Sequence, residues 1–242
     1  MKKYNIDENT EELKYKRGRS LFALSIVLGF VGIVLLIVGI FVQNTKYGTP
    51  LSVVGAIVSM TLAFFLMYKS YSDMMAYESL KMEREYDKHE LYKLKSVCKY
   101  EVKSKLLGVG FYEENGYLKK KKFSYLKDSI TYYFRMVDTT KVFGSVERYI
   151  KEFEQMEREG NTCLCLFVYV DHITDENLED AKELGKSDIV YETVINPFTQ
   201  DSYVIVVVDR KTNEGYFLDI GKKHKSSLYS HGCKWIKKIL DN

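Results

Sequence analysis

Four aspartates follow predicted strands, and they are the residues of this sequence best placed for chemistry: Asp138, Asp171, Asp209 and Asp219. In a sheet flanked by helices, strand ends often gather carboxylates that bind a divalent metal ion, which can activate water for hydrolysis. Asp171, Asp209 and Asp219 are therefore the catalytic candidates. They would serve a metal-dependent nuclease or phosphodiesterase.

Asp209 also begins a short pattern, Asp209-Arg210-Lys211, that matches the D-x-K half of a restriction-endonuclease-like site. In such a site the lysine stabilises the charge that develops during the reaction. The same acid-x-lysine spacing recurs at Glu12, Glu101 and Asp180, about as often as this composition produces by chance. Because Asp209 opens a predicted hairpin turn, where aspartate is favoured in its own right, turn formation is the stronger interpretation.

Common catalytic and cofactor-binding motifs are absent: there is no G-x-G-x-x-G, P-loop, G-x-S-x-G or H-E-x-x-H. The four cysteines show no C-x-x-C spacing and are predicted to be small, reduced, buried thiols: Cys98, Cys163, Cys165 and Cys233. We therefore expect no cofactor and no metal site. A non-catalytic domain is favoured over an enzyme.

Two basic runs concentrate positive charge, although the net charge of the 242-residue chain is only +3. They are Lys119, Lys120, Lys121 and Lys122, followed much later by Lys222, Lys223, His224 and Lys225. Lysines on an edge strand block aggregation. The alternatives are a face toward anionic lipid and a pocket for an anionic ligand such as a nucleotide. The balanced net charge does not predict nucleic-acid binding.

Two uncharged apolar stretches, 21–42 and 51–68, predict a transmembrane hairpin, because each is long enough to cross a hydrocarbon core of about 30 Å as a helix. Basic residues flank the hairpin on both sides, whereas the connecting loop has only Lys46. The positive-inside rule then predicts a cell-membrane protein with two spans and both termini in the cytoplasm. The alternative is a buried helical hairpin of a soluble protein.

Small residues recur along each predicted span and indicate close helix packing in lipid. They are Ser25, Gly29, Gly32 and Gly39 in the first span and Gly55, Ser59 and Ala63 in the second. Packing of the two helices on each other is favoured over self-association of the hairpin. Neither span contains Asp, Glu, Lys, Arg or His, so a transporter or selective channel is not predicted.

The chain divides into a cytoplasmic tail (1–19), the hairpin (20–68), a helical stalk (69–107) and a cytoplasmic α+β domain (108–242). In the domain, strands are predicted at 117–123, 129–138, 162–170, 189–195, 203–209 and 216–220, and helices at 143–159, 175–184 and 227–240. This order mixes βαβ crossovers with hairpins and predicts a mixed β-sheet flanked by helices.

The sequence favours a membrane-anchored recognition or sensor domain that signals or assembles through its hairpin. The expected partners are the lipid bilayer, an anionic ligand, and a second copy or another subunit of a membrane complex. The alternatives are a membrane-tethered metal-dependent hydrolase and a structural subunit of a larger membrane complex.

Overall fold

The structure is a computed structural model that describes residues 8–42, 47–122, 129–158, 160–221 and 227–241. Within these residues the chain forms six α-helices, one π-helix and a seven-stranded mixed sheet. It divides into two compact units, Met1–Lys81 and Met82–Asn242. The predicted α+β class, with a mixed sheet and flanking helices, is confirmed.

The first unit contains α1 (Glu8–Phe41) and most of α2 (Gly48–Asp87), and both helices are long and apolar enough to cross a membrane. Small residues on α1 that face α2 recur every seven positions: Gly18, Ser25, Gly32 and Gly39. Buried small residues on α2 follow a similar spacing: Ser52, Ala56, Ser59, Ala63 and Ser70. A seven-residue period keeps one face of each helix turned toward its partner.

Individual contacts show how closely the two helices approach. A Cβ added at Gly32 would lie 2.8 Å from the Met60 Cγ, and one added at Gly39 would lie 3.1 Å from the Ser52 Cβ. A Cβ at Gly55 would lie 3.3 Å from a methyl group of Leu35. Gly29 differs from the expectation, because a Cβ there would meet nothing within 4 Å outside its own helix backbone. The four-residue step from Ser25 turns Gly29 out of the seven-residue row.

The second unit is built around a sheet with strand order β1-β7-β6-β5-β4-β3-β2. The strands are β1 (Leu91–Leu94), β2 (Tyr112–Glu114), β3 (Tyr117–Lys122), β4 (Ile130–Asp138), β5 (Asn161–Val170), β6 (Asp201–Asp209) and β7 (Glu214–Leu218). Strands β4, β5 and β6 pair in parallel, and antiparallel pairs extend the sheet on both sides. The carboxyl ends of the three parallel strands therefore share one edge.

Alternate residues of β5 contribute to two hydrophobic cores, one on each side of the sheet. Cys163, Cys165 and Phe167 pack with α3 (Lys99–Gly108) and α6 (Leu228–Leu240), which cover what we call the α3/α6 face. Leu164, Leu166 and Val168 pack with α4 (Val142–Glu154) and with α5 (Asp175–Val190) through Ala181. We call this second side the α4/α5 face.

The predicted stalk helix is wrong beyond Asp87. Helix α2 ends there, the chain forms β1, and α3 begins only at Lys99. The apolar residues Leu91 and Leu94 lie within the predicted stalk helix. In the fold, β1 instead pairs antiparallel with β7, and Leu94 is fully buried. An unpaired edge of β7 supplies backbone hydrogen bonds that local helix propensity does not anticipate.

The predicted strand at 189–195 is also wrong, because α5 continues to Val190 and is followed by a π-helix, Tyr191–Ile195. The predicted helix 175–184 stops just before Gly185. Gly185 lies inside α5 instead, and an added Cβ would be 2.5 Å from the Tyr229 hydroxyl and 2.9 Å from the Leu218 Cβ. The glycine serves close packing rather than helix termination.

Candidate functional site

The carboxyl ends of β4, β5 and β6 form an edge where three of the strand-end acids lie, and Arg210 is the residue that joins two of them. One guanidinium nitrogen forms an ion pair with Asp138, and another donates to Asp171 at 2.6 Å. The Lys99 ammonium also pairs with Asp138. Burial alone would raise the pKa of Asp138, but Lys99 and Arg210 hold it below its ordinary value. Two acids and two bases thus form a chain of ion pairs that runs from Lys99 through Asp138 and Arg210 to Asp171.

Asp209 lies at the same edge, but its carboxylate is engaged in hydrogen bonds with backbone amides. Its two oxygens accept hydrogen bonds from the amides of Ile173 (3.2 Å), Lys211 (2.7 Å) and Thr212 (3.2 Å). Although burial opposes ionisation, these amides hold the pKa of Asp209 below its usual range. The D-x-K pattern thus joins Lys211 to Asp209 through its backbone amide. This is the geometry of a turn.

Asp219 lies at the opposite edge, because β7 runs antiparallel to β6. Its carboxylate pairs with Lys237 at 2.7 Å and accepts the Gly221 amide. The three catalytic candidates are therefore not brought together. Among the described residues, no group of three or more His, Cys, Asp or Glu side chains could hold a metal ion.

Three of the four cysteines are buried between α6 and the sheet: Cys163 and Cys165 on β5, and Cys233 on α6. Burial raises the pKa of the Cys165 and Cys233 thiols well above the ordinary value. A raised pKa keeps a thiol protonated and unreactive. These three cysteines are small core side chains, as the sequence indicated, whereas Cys98 is only half-buried.

The first lysine run is divided between the two sides of β3. Lys119 pairs with Glu114 at 2.6 Å and lies over the Tyr133 ring. Lys120 and Lys122 point to the other side, because successive residues of a strand face opposite ways. Their ammonium groups lie 5.3 and 5.7 Å from the centre of the Trp235 ring. The second run, 222–225, lies outside the described residues.

A third lysine near Trp235 comes from the same helix. Lys238 is three positions further along α6, so the two side chains are neighbours, and its ammonium lies 5.5 Å from the ring centre. We call Trp235, Lys120, Lys122 and Lys238 the Trp235 cluster. Among the described residues, no carboxylate lies within 4 Å of the Lys120 or Lys122 ammonium. The cluster thus places three cations around one indole.

The cluster is fixed from below by aromatic packing. The half-buried Trp235 ring packs against Tyr132 and Phe111, with ring centres 5.4 and 5.9 Å away. Strand β2 pairs with β3 only as far as Lys119, so Lys120 to Lys122 extend beyond the edge strand. Sequence reasoning missed Trp235 and Lys238. The i,i+3 spacing of the two residues on an amphipathic helix was the available signal.

Charge is segregated between the two faces of the sheet. In the sequence, segment 138–192 contains 14 acids and 6 bases, and segment 210–242 contains 8 bases and 3 acids. Among the described helices, α4 and α5 together contain nine acids and four bases, whereas α3 and α6 together contain six bases and one acid. Lys105 and Lys234 add charge to the α3/α6 face. The α3/α6 face is therefore basic, and the α4/α5 face is acidic.

A cleft of about 310 Å³ opens beside α3. Phe134, Leu118 and Met136 contribute its apolar wall, and Lys99 and Lys103 line it with charge. Lys103 pairs with Glu113 at 2.7 Å and Lys99 pairs with Asp138, so acids of this unit already engage both lysines. The Trp235 cluster brings three ammonium groups to one ring and is the stronger candidate for an anion.

No protein-family model, no curated protein and no solved structure matches this chain.

Proposed function

We propose that this protein is a membrane-anchored recognition domain that binds an anionic ligand on its α3/α6 face. The observation that carries this proposal is the Trp235 cluster, in which three ammonium groups surround one half-buried indole. Such an arrangement concentrates positive potential at a rigid aromatic surface. Phosphate and other anionic groups are its natural ligands.

The exposed surface of α1 and α2 supports the anchoring part of the proposal. Outward-facing residues are large and apolar, and the most exposed include Phe30 (67 %), Phe41 (82 %) and Phe64 (70 %). A water-soluble protein rarely leaves so long an apolar surface uncovered, whereas a bilayer accommodates it. The basic flanks then favour a cytoplasmic location for both termini.

The contacts of the strand-end aspartates favour recognition over metal-dependent hydrolysis. A hydrolytic site would need carboxylates free to bind a metal ion. Asp138 and Asp171 are instead joined through Arg210, and Asp209 accepts three backbone amides.

The single tryptophan of the chain makes the binding proposal directly testable. The full chain is placed in nanodiscs of phosphatidylcholine, and Trp235 fluorescence is followed during titration with inorganic pyrophosphate. We expect a saturable change that potassium chloride of equal ionic strength does not produce. The change should be lost in Lys120→Gln/Lys122→Gln/Lys238→Gln.

The matched control is Lys141→Gln/Lys151→Gln/Lys211→Gln, which removes three exposed lysines elsewhere on the same unit. It should respond to pyrophosphate as the unmodified chain does. An unmodified chain with no saturable response, or a response equal in both triple variants, contradicts recognition of a soluble anion at the Trp235 cluster.

Membrane topology is tested separately by reporter fusions. A reporter placed after Asn242 should be active on the cytoplasmic side, and one inserted at Tyr47 should be active on the external side. Export of the C-terminal reporter would contradict the proposed orientation.

A further inference from the structure

We infer that the ligand of the Trp235 cluster is the anionic surface of the bilayer itself, so that the α3/α6 face docks on lipid phosphates. This inference rests on the proposed function and names its ligand. Two features of the molecule support it: the chemistry of the cluster, and the separation of charge across the sheet.

The chemistry of the cluster suits a lipid headgroup layer. Tryptophan is enriched at membrane interfaces because its ring is largely apolar while its N–H remains polar. Lysines around it place their ammonium groups close to the ring, at the depth of the phosphates. Packing against Tyr132 and Phe111 holds the indole at the surface of the unit, where a headgroup can reach it.

The charge separation gives the contact a direction. An anionic surface attracts the basic α3/α6 face and repels the acidic α4/α5 face, so one orientation of the unit is favoured. Lys105 and Lys234 increase the attraction on the same side. A pocket for one small anion would not require the whole face to be basic.

The size of the effect suits a tethered unit. Each lysine close to an anionic membrane favours contact by about fivefold, so three acting independently favour it by roughly a hundredfold. That would bind a free protein weakly. A unit joined to membrane helices meets the surface at an effective concentration that makes weak affinity sufficient. The contact would therefore orient the unit rather than attach it.

The experiment measures quenching of Trp235 by brominated lipid. The full chain is reconstituted in nanodiscs of brominated phosphatidylcholine, with or without phosphatidylglycerol as the anionic lipid. We expect stronger quenching and a blue-shifted emission when the anionic lipid is present. Because the contact is electrostatic, high salt should reduce the difference between the two compositions.

Variants identify the surface responsible. Lys120→Gln/Lys122→Gln/Lys238→Gln should abolish the difference between neutral and anionic nanodiscs, whereas Lys120→Arg/Lys122→Arg/Lys238→Arg should keep it. Lys141→Gln/Lys151→Gln/Lys211→Gln should also keep it. Each variant is compared with itself in the two lipids, because removing a nearby cation changes indole emission directly.

Two results would overturn the inference: equal quenching in neutral and anionic nanodiscs, or a lipid-dependent difference that survives the glutamine triple variant. The pyrophosphate titration separates the two proposals. A pyrophosphate response without lipid dependence leaves the recognition function standing, with a soluble anion as its ligand. Absence of both responses contradicts both proposals.

Discussion

The carboxylate of Asp188, near the end of α5, accepts a 2.6 Å hydrogen bond from the hydroxyl of Ser202 in β6. It also accepts the Tyr203 amide at 3.0 Å. Burial raises the pKa of Asp188 to about 7, although these two hydrogen bonds oppose the shift. The nearby acids Glu192 and Asp201 raise it further. The contact between α5 and β6 therefore contains an acid that titrates near neutral pH.

This raised pKa predicts a pH-dependent stability. A carboxyl group with a folded-state pKa above its unfolded-state value of 3.8 stabilises the fold at low pH. Its contribution is lost as the pH rises from about 4 through about 7. In Asp188→Asn, the amide can keep both hydrogen bonds without ionising. The variant should therefore gain melting temperature relative to the unmodified chain between pH 5 and pH 8, as measured by Trp235 fluorescence.

Glu176→Gln is the control for this effect, because Glu176 is an exposed acid on the same helix. The difference in melting temperature between Glu176→Gln and the unmodified chain should change little over the same pH range. An Asp188→Asn difference that stays constant with pH would show that Asp188 does not titrate there.

Two glycines of α1 should respond differently to the same substitution. Gly32→Leu should separate α1 from α2, because even a Cβ at Gly32 would be 2.8 Å from Met60. Gly29→Leu should be tolerated, since the space beside Gly29 is open. The readout is disulfide formation between Gly39→Cys and Ser52→Cys in membranes, measured by mass spectrometry after proteolysis. Equal crosslinking in both leucine variants would contradict the packing.

A second glycine pair predicts stability changes of opposite sign. Gly232→Ala places a methyl group 2.6 Å from the Cys163 sulfur and 2.7 Å from a Val204 methyl, and overpacking of this kind costs about 1–3 kcal/mol. Gly144→Ala in α4 meets no atom within 4 Å and should stabilise the helix by about 0.5 kcal/mol. Denaturant unfolding followed by Trp235 fluorescence measures both. A destabilised Gly144→Ala would show that α4 is packed differently.

Substitution of Asp209 and of Asp171 should change the free energy of unfolding by different amounts, because Asp209 has a structural role and Asp171 carries surface charge. Asp209→Asn replaces one acceptor oxygen with a donor, so at least one of three amides loses its partner at a cost of about 1–3 kcal/mol. Asp171→Asn, at an exposed ion pair, should change the free energy of unfolding by less than about 0.5 kcal/mol. Equal stability of the two variants would contradict a structural role for Asp209 in the turn.

Most strands and helices of the second unit were predictable because their apolar residues repeat with a clear period. The central strand β5 is apolar on both faces, and α4 and α6 bury one side each. The π-helix and the extended α5 were not predictable. The apolar residues Ile189, Val190 and Val194 fit a short strand as well as a helix, and only contact with neighbouring elements decides between them.

The amino-acid sequence by itself determined two long apolar helices, a mixed α+β fold and the segregation of acidic from basic segments. These three features depend on composition and on short-range periodicity, which are properties of the sequence whether or not the chain is folded. Tertiary structure decided that β1 pairs with β7, that Arg210 joins Asp138 to Asp171, and that lysines from β3 and α6 surround Trp235. Apart from the contact of Lys238 with Trp235 inside α6, each of these joins residues more than 30 positions apart. Only sheet pairing and helix packing bring such residues within contact distance.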